Sequence, residues 1–381
     1  MDTLPFELIS NIFAMLNETD RYKNVTLVCK SFRDIMYLPV LRTSMTIDPK
    51  TSISRLEAWM EKSPLLSHIV IRPPPAFEPW DGFFQGFPIL EFLDQFLLLV
   101  CQLECVHLKS ISINGHSFAD INTNVNGMEP GLLGAVTCLP NVIANYRGSL
   151  KRLSLNHCFV STLNLTMLTQ CLSNYSSLHI GNIWNLVTAK TVFVNLSMQG
   201  LFLTDLTFEN MNEPGHLEPD MLQCLIHLKK LKMILVNLEW KVNFTTFTGL
   251  EKLTLHGNFG INPTDIMKMN SYIEYLDIDQ TLWPTNKCDV DCLTHMVKIR
   301  NMHLNLGGLA RLSIPDYTPE LAIVDIFKSG YYPNLISLTL SDQNGIMNPA
   351  LAEYIFINYP ELTNLIINDT IIGRHLNQRF Q

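Results

Sequence analysis

Apolar residues at the start of the chain recur at the spacing of an α-helix. Over residues 4–16 they fall three or four positions apart, so they share one broad stripe of a helix. Pro5 in the first turn is typical of a helix N-terminus. The members of the stripe are Leu8, Ile9, Ile12, Phe13 and Leu16. The pattern therefore predicts an amphipathic first helix.

A polar break at 17–20 separates this helix from a second apolar run that predicts further helix. The residues of the second run are Val25, Leu27, Val28, Cys29 and Phe32. Two short helices have too little core between them to cover so much apolar surface. Part of that surface is therefore expected to contact a helix of a partner protein.

Further along, the pattern becomes apolar-x-x-apolar-x-apolar, and such alternation predicts a short strand with one buried face. Copies from residue 150 onwards mostly start 22 to 28 residues apart, which is typical of a repeat array. The full copies cover 150–155, 203–208, 228–233, 250–255, 273–278, 299–304, 335–340 and 362–367. Weaker copies cover 66–71, 108–113 and 175–180. A non-repetitive α/β domain is the alternative, and it needs this alternation by chance at least eight times.

The stretches between copies predict outer helices or 3₁₀ turns, because several open with Pro or Asp, as helix N-termini do. These candidate helices cover 164–173, 219–227, 263–269, 289–297, 319–328 and 349–359. Two other segments interrupt the early copies. Residues 72–88 are rich in Pro and aromatic residues and residues 115–131 in Gly and Asn, so both are predicted loop insertions.

The N-terminal segment resembles an F-box, a family that opens with Leu-Pro-x-Glu and closes with Val-Cys-Lys-x-aromatic-Arg. The matching residues are Leu4, Pro5, Glu7, Ile12, Phe13, Leu16, Asp20, Val28, Cys29, Lys30, Phe32 and Arg33. Arg21 stands where an apolar residue is usual, and Phe32 where Trp is common. The resemblance implies docking to the Skp-type adaptor, and through it the cullin, of a Skp–cullin–F-box ubiquitin ligase. The alternative is an ordinary helical hairpin that packs on the rest of the chain.

The copy at Leu250, followed by Asn258, matches L-x-x-L-x-L-x-x-N, and Cys158 takes the Asn position after the copy at 150–155. The chain thus resembles the leucine-rich-repeat class of F-box proteins. The resemblance implies an α/β fold with a three-helix F-box over 1–45, a linker over 46–64 and a solenoid over 65–381. The solenoid is expected to be curved, with parallel strands inside and helices outside.

Composition narrows the function classes. The chain has 381 residues, 47% of them hydrophobic, and a formal net charge of −8 without any long basic run, so no nucleic-acid or membrane-surface partner is expected. The apolar window at 92–106 is too short and too charged to span a bilayer, and predicts a buried helix. Nine cysteines and the absence of an export signal favour reduced thiols in the cytoplasm and/or nucleus. Two glycosylation sequons, at Asn17 and Asn24, lie inside the F-box match and weigh against secretion.

No motif for phosphate, dinucleotide, serine-hydrolase or zinc-protease chemistry occurs. Cys288, Cys292 and His295 share a helix face but have no obvious fourth ligand, so they are predicted to be core residues. Cys101, Cys105 and His107 receive the same interpretation. The sequence predicts a non-catalytic subunit without a cofactor or a metal ion.

Two sets of site residues follow from the resemblance and the repeat. The adaptor-binding set is Leu4, Pro5, Leu8, Ile9, Ile12, Phe13, Leu16, Val28, Cys29 and Phe32. The sequence does not separate those that contact the adaptor from those that hold the F-box together. On the concave face, Lys232, Thr254, Asp277 and His303 occupy equivalent repeat positions, so they are expected to form one row about 4.8 Å apart. Mixed charge in this row suits a protein target.

The predicted function is therefore the substrate-recognition subunit of an SCF-type E3 ubiquitin ligase, with an unidentified target protein. One alternative is a leucine-rich-repeat scaffold that binds the adaptor but sends nothing for degradation. Another is a receptor gated by a small molecule such as an inositol phosphate, which needs a basic cluster on the concave face. Only Arg152, Lys230, Lys232 and Lys252 offer positive charge there.

Overall fold

The structure is a computed structural model, and a strand is defined at every copy of the repeat pattern that the sequence predicts. It describes residues 6–16, 20–36, 38, 41–47, 52–71, 87–102, 108–114, 139–156, 172–181, 202–209, 225–234, 247, 249–257, 272–279, 284, 286–294, 296–312 and 314–373. The chain divides into two compact units, Met1–Asn164 and Leu165–Gln381.

The first unit opens with the predicted helical region. Helix α1 (Phe6–Met15) is followed by a π-helical segment (Asp20–Val25), a single turn α2 (Thr26–Val28) and helix α3 (Lys30–Met36). Cys29 has extended backbone (φ −160°) and separates α2 from α3, so the second apolar run is not one continuous helix. Buried Phe13, Ile35, Met36 and Leu41 form the core of this region.

Four parallel strands complete the first unit. They are β1 (Ser44–Ile47), β2 (His68–Ile71), β3 (Ser110–Asn114) and β4 (Arg152–Asn156). The helices between them are α4 (Ile53–Glu61), α5 (Phe87–Gln102) and α6 (Leu139–Asn145). Strand pairing already begins at β1, and α4 occupies much of the stretch predicted as a linker over 46–64.

Helix α5 contains residues 92–102 of the apolar window, and its Phe96, Leu97, Leu99 and Val100 are buried, whereas residues 103–106 lie outside the described residues. Of the loop insertion predicted at 72–88, residues 72–86 lie outside the described residues and the last two begin α5. The insertion predicted at 115–131 also lies outside them. No helix among the described residues combines the length and the apolar character needed to cross a bilayer.

The second unit continues the strand series in chain order. Its strands are β5 (Ser177–Gly181), β6 (Asp205–Glu209), β7 (Lys230–Ile234), β8 (Lys252–His256), β9 (Tyr275–Asp279), β10 (Asn301–Asn305), β11 (Ser337–Ser341), β12 (Asn364–Ile367) and β13 (Thr370–Ile372). Strands β5 to β12 are parallel, and each pairs with its neighbours in the chain. The apolar-x-x-apolar-x-apolar copies of this unit therefore lie on successive strands, which confirms the repeat.

The helices of the second unit are α7 (Lys287–Cys292), α8 (Pro319–Ile326) and α9 (Pro349–Asn358). They correspond to the last three predicted helices. The candidates at 164–173 and 219–227 lie mostly outside the described residues and the candidate at 263–269 wholly outside them, although a 3₁₀ turn at Leu172–Asn174 begins at the end of the first. Thr318 and Asn348 cap α8 and α9 by accepting from the N–H groups of Leu321 and Leu351. Proline in the first turn and a polar cap explain why these two helices begin where the sequence predicted.

The core of the second unit is built by the apolar positions of the repeat. Strand alternation turns Leu253 and Leu255 inward, and the register places them beside Leu276 and Ile278 of the next strand. All four are at most 1% exposed. Each such side chain contributes about 1.5–3 kcal/mol by leaving water, so the repeats stabilise one another only when stacked.

The last strand departs from the parallel arrangement that the sequence predicts for the array. Strand β13 pairs antiparallel with β12. Asn368 and Asp369 connect them with φ angles of 47° and 64°, the left-handed conformation that tight hairpin turns require. The apolar-x-x-apolar-x-apolar pattern carries no signal for a three-residue returning strand, and the hairpin was therefore missed.

Candidate functional site

The N-terminal helices leave part of their apolar surface exposed. Met15 is 87% exposed, Leu27 77% and Val28 66%, while Leu8 and Ile12 are each 49% exposed. We call these five residues the helical apolar face. Leu8 and Ile12 lie one turn apart on α1, with Met15 three residues further, so they follow one side of that helix. Large exposed apolar groups concentrated in one short segment are typical of a protein-binding surface.

The structure divides the predicted adaptor-binding residues into two groups. Leu8, Ile12, Val28 and Cys29 are exposed, whereas Phe13 is buried. Ile9, Leu16 and Phe32 are partly buried and pack against the core that contains Phe13. Residues of this second group hold the helices together, because a side chain already covered by its neighbours offers little surface to a partner. Leu4 and Pro5 lie outside the described residues.

Met15 and Leu27 belong to the helical apolar face but not to the predicted set. Met15 continues the helical spacing of Leu8 and Ile12, so the same spacing could have identified it in the sequence. Leu27 is in α2, directly before Val28. Its exposure depends on the extended break at Cys29, which helical spacing does not reveal.

On the strands of the second unit, the register places the four predicted target-binding residues in one row. Lys232 pairs with Thr254, Thr254 with Asp277, and Asp277 with His303. We call this set the central row. Thr254 and Asp277 are only 9% and 8% exposed, so their neighbours cover most of their surface. Lys232, with a side chain 44% exposed, is the most accessible charged group of the row.

Asp277 is the centre of a hydrogen-bonded cluster. Its Oδ1 lies 2.8 Å from His256 Nε2 and 2.8 Å from His303 Nδ1, and Tyr275 donates its hydroxyl to Oδ2 at 3.3 Å. Burial raises the pKa of Asp277, but the hydrogen bonds with the two histidines outweigh burial and hold it well below its ordinary value. The same contact with Asp277 raises the pKa of His303, although burial opposes it.

A second cluster surrounds Glu209 at the end of β6. His179 Nε2 lies 3.4 Å from Glu209 Oε2, and Lys232 Nζ lies 2.8 Å from Oε1. The contact with His179 lowers the pKa of Glu209 to about 2, with Lys232 adding to the effect and burial opposing it. The row therefore presents charges that are already paired within the sheet.

The contacts of the strand lysines also bear on the alternative of a receptor gated by a small molecule such as an inositol phosphate. Lys230 Nζ lies 2.8 Å from Asp205 Oδ1, and Lys252 Nζ lies 6.0 Å from the centre of the Tyr275 ring. Together with the Lys232–Glu209 pair, these contacts place a carboxylate or an aromatic ring against each lysine of the predicted set. A polyphosphate ligand needs cations that converge on it, so this arrangement favours a protein surface of mixed charge.

The prediction that Cys288 and Cys292 are both core residues is wrong for Cys288. Cys288 is exposed, whereas Cys292 is buried and donates its thiol to the Asp289 carbonyl oxygen at 2.9 Å. Burial, with nearby carboxylates adding to it, raises the pKa of the Cys292 thiol far above its ordinary value, which keeps it protonated. His295, Cys105 and His107 lie outside the described residues.

Comparison with known proteins identifies similarity of fold only. No protein-family model matches the chain, and no curated protein matches it. A chain of the crystal structure of the yeast Rad7 and Elc1 complex superposes with a TM-score of 0.57 at 16% identity, over 98% of this chain and 91% of that chain. This similarity, the strand order and the repeat define a leucine-rich-repeat type of fold.

Two further solved structures were found at lower similarity. An internalin (inlF) from Listeria monocytogenes gives a TM-score of 0.36 at 14% identity, over 96% of this chain and 81% of that chain. The leucine-rich-repeat-containing protein LegL7 from Legionella pneumophila gives 0.35 at 12% identity, over 87% of this chain and 85% of that chain.

Proposed function

We propose that this protein is the substrate-recognition subunit of an SCF-type E3 ubiquitin ligase. The observation that carries the proposal is the helical apolar face, which is exposed within the segment that resembles an F-box. A folded chain that binds no partner rarely leaves five large apolar side chains exposed within one short stretch of sequence. A helix of a Skp-type adaptor would cover them.

The two groups of apolar residues support a docking role for this region. Phe13, Ile35 and Met36 give the helices their own core, so the helical apolar face is present before any partner arrives. Leu8 and Ile12 would insert between adaptor helices as anchors, and Leu27 and Val28 would extend the contact. A preformed surface loses little conformational freedom on binding, which favours affinity.

The strands would bind the target protein. The central row and its flanking lysines combine positive, negative and hydrogen-bonding groups on a rigid sheet, and such a surface discriminates between protein partners by charge complementarity. The related fold in the Rad7 and Elc1 structure was solved as a complex of two proteins. That precedent supports partner binding by a chain of this architecture.

In this proposal the chain contributes proximity and no chemistry of its own. A receptor that binds the adaptor at one end and a target elsewhere raises the local concentration of the target near the transfer machinery. Such a subunit works in the cytoplasm or the nucleus. It needs no catalytic residue, because the ubiquitin is transferred by other subunits.

Reconstitution distinguishes the receptor from the non-degradative scaffold. The full chain is purified with a Skp-type adaptor and a cullin, and proteins captured from an extract are incubated with ubiquitin and its activating and conjugating enzymes. Ubiquitin chains on a captured partner, dependent on the cullin, are the expected result. Assembly with the adaptor and cullin without modification of any captured partner would favour the scaffold.

The strand surface is tested once a target is captured. Lys232→Glu reverses charge in the central row, and Lys229→Glu reverses charge just before β7, where Lys229 pairs with Glu251 at 2.8 Å. Both substitutions break one ion pair, so they are matched in their effect on the fold. Loss of capture with Lys232→Glu alone is expected, and equal capture by both variants would place the target elsewhere.

A further inference from the structure

Two histidines and one aspartate from three successive strands converge on a point of the sheet. His256 ends β8, Asp277 is the central residue of β9, and His303 is the central residue of β10. One possible ligand atom from each of His256, Asp277 and His303 lies within 4.8 Å of the other two. The imidazole rings stand almost perpendicular, at 88°, with centroids 6.2 Å apart.

The convergence is close to the geometry of a metal centre. A tetrahedral ion with bonds of about 2.1 Å holds its ligand atoms roughly 3.4 Å apart. Here each histidine nitrogen is 2.8 Å from the carboxylate oxygen. Small side-chain rotations that lengthen these two contacts and bring the nitrogens closer would admit an ion without moving the strands.

Neighbouring groups already orient the ligands. Ser341 Oγ lies 2.9 Å from His303 Nε2, and while it accepts that N–H, an ion can replace the proton that Nδ1 shares with Asp277. Tyr275 holds the second carboxylate oxygen, which leaves Oδ1 for the ion. Hydrogen bonds of this kind to the outer atoms of ligands are characteristic of protein metal sites.

We propose that His256, Asp277 and His303 form a binding site for a divalent transition-metal ion, with Zn²⁺ as the best fit. Two imidazoles and one carboxylate suit zinc, whereas Mg²⁺ and Ca²⁺ prefer oxygen ligands alone. Asp279 and Asp369 also act electrostatically on His303, and their negative charge favours a cation in this part of the sheet.

The site would keep a coordination position for an outside group. The side chains of His256 and His303 are 26% and 22% exposed, while that of Asp277 is 11% exposed. The carboxylate is therefore sheltered and the imidazoles are open to solvent on one side. Water or a donor atom of a bound molecule would complete four-coordination. The three ligands come from this chain alone, so the site does not depend on the proposed ligase role.

The test is a titration of the EDTA-treated and reduced 381-residue chain with zinc chloride, monitored by calorimetry. Co²⁺ is the spectroscopic probe, because its visible bands distinguish nitrogen and oxygen ligands from the thiolates of the cysteines. His256→Gln and His303→Asn are expected to weaken Zn²⁺ binding at least 100-fold each. Ser341→Ala is expected to weaken it about tenfold through lost orientation of His303. Zn²⁺ should raise the melting temperature of the wild type.

His179→Gln is the matched control, because His179 also faces a carboxylate on this sheet but belongs to the Glu209 cluster. It should bind Zn²⁺ like the wild type. Circular dichroism establishes that each variant is folded, and either histidine substitution suffices if the other fails to fold. The proposal is overturned if the wild type takes up no Zn²⁺, or if His256→Gln, His303→Asn and His179→Gln bind it equally well.

Discussion

Phe13 of α1 and Phe32 of α3 pack edge to face, with ring centroids 5.1 Å apart and ring planes at 77°. This contact joins the first and the last helix of the N-terminal region. Phe13 is only 5% exposed, and its neighbours Ile35 and Met36 complete the same core. The residues that resemble an F-box thus include a core that supports the helical apolar face.

Phe13→Ala is therefore expected to loosen the N-terminal helices. Truncation of a buried phenylalanine removes apolar contacts and leaves a cavity, at a cost of about 3–5 kcal/mol. Backbone amides of α1 and α3 should exchange faster with deuterium. Met15→Ala, at a side chain 87% exposed, is the control and should leave exchange almost unchanged. Equal protection in both variants would show that Phe13 is not a core residue.

Glu209 is expected to make the stability of the folded chain depend on pH in the acid range. Its pKa in the folded chain is lowered from 4.5 to about 2. A carboxylate whose pKa is lowered on folding stabilises the folded state at every pH above its ordinary pKa. That stabilisation disappears as the pH falls towards 2. Glu209→Gln should reduce the free energy of unfolding at neutral pH by about 1–3 kcal/mol after screening by solvent. The difference from wild type should shrink as the pH drops below 4.5.

Urea unfolding of the two proteins at a series of pH values measures this difference. Glu251→Gln is the control, since its ion pair with Lys229 is exposed and such pairs contribute less than about 1 kcal/mol. A constant difference in the free energy of unfolding between wild type and Glu209→Gln, from neutral to acid pH, would contradict the lowered pKa of Glu209.

Asp342 stabilises the loop that leads into α9. It is 5% exposed, and its carboxylate accepts from the N–H groups of Ile346 at 2.9 Å and Met347 at 2.8 Å. Asp342→Ala would leave two backbone donors without their acceptor, at a cost of about 1–3 kcal/mol. Urea unfolding should show this loss, while Glu353→Ala on the exposed side of α9 should change stability little. Similar values for both variants would mean that water replaces the carboxylate.

Much of the array could be predicted from the sequence because strand alternation and repeat spacing are strong, local signals. Leu253, Leu255 and their equivalents recur at every second residue. A shift of one residue in strand pairing would expose them, so only one register keeps them buried. Strand β1 was missed because its copy of the pattern is incomplete. Strand β13 was missed because a hairpin depends on two left-handed residues rather than on apolar spacing.

The candidate site was harder to predict for geometric reasons. Helical spacing places Ile12 and Phe13 in one stripe, but only packing against α3 decides which one is buried. Equivalent repeat positions do not predict the His256–Asp277–His303 cluster, because the contact between His256 and Asp277 runs diagonally between neighbouring strands. His256 pairs in register with Asp279, and its ring reaches across to Asp277.

Binding of the Skp-type adaptor tests the central claim most directly. Leu8→Asp/Ile12→Asp places charge on the helical apolar face and spares the core, whereas Ile357→Asp changes an equally helical residue that is 71% exposed on α9. Immobilised adaptor should capture the wild type and Ile357→Asp alike. The double variant should bind at least about 30-fold more weakly, because loss of even one interface anchor costs about 2–4 kcal/mol. Undiminished capture of the folded double variant, or no capture of the wild type, would contradict the adaptor-docking role.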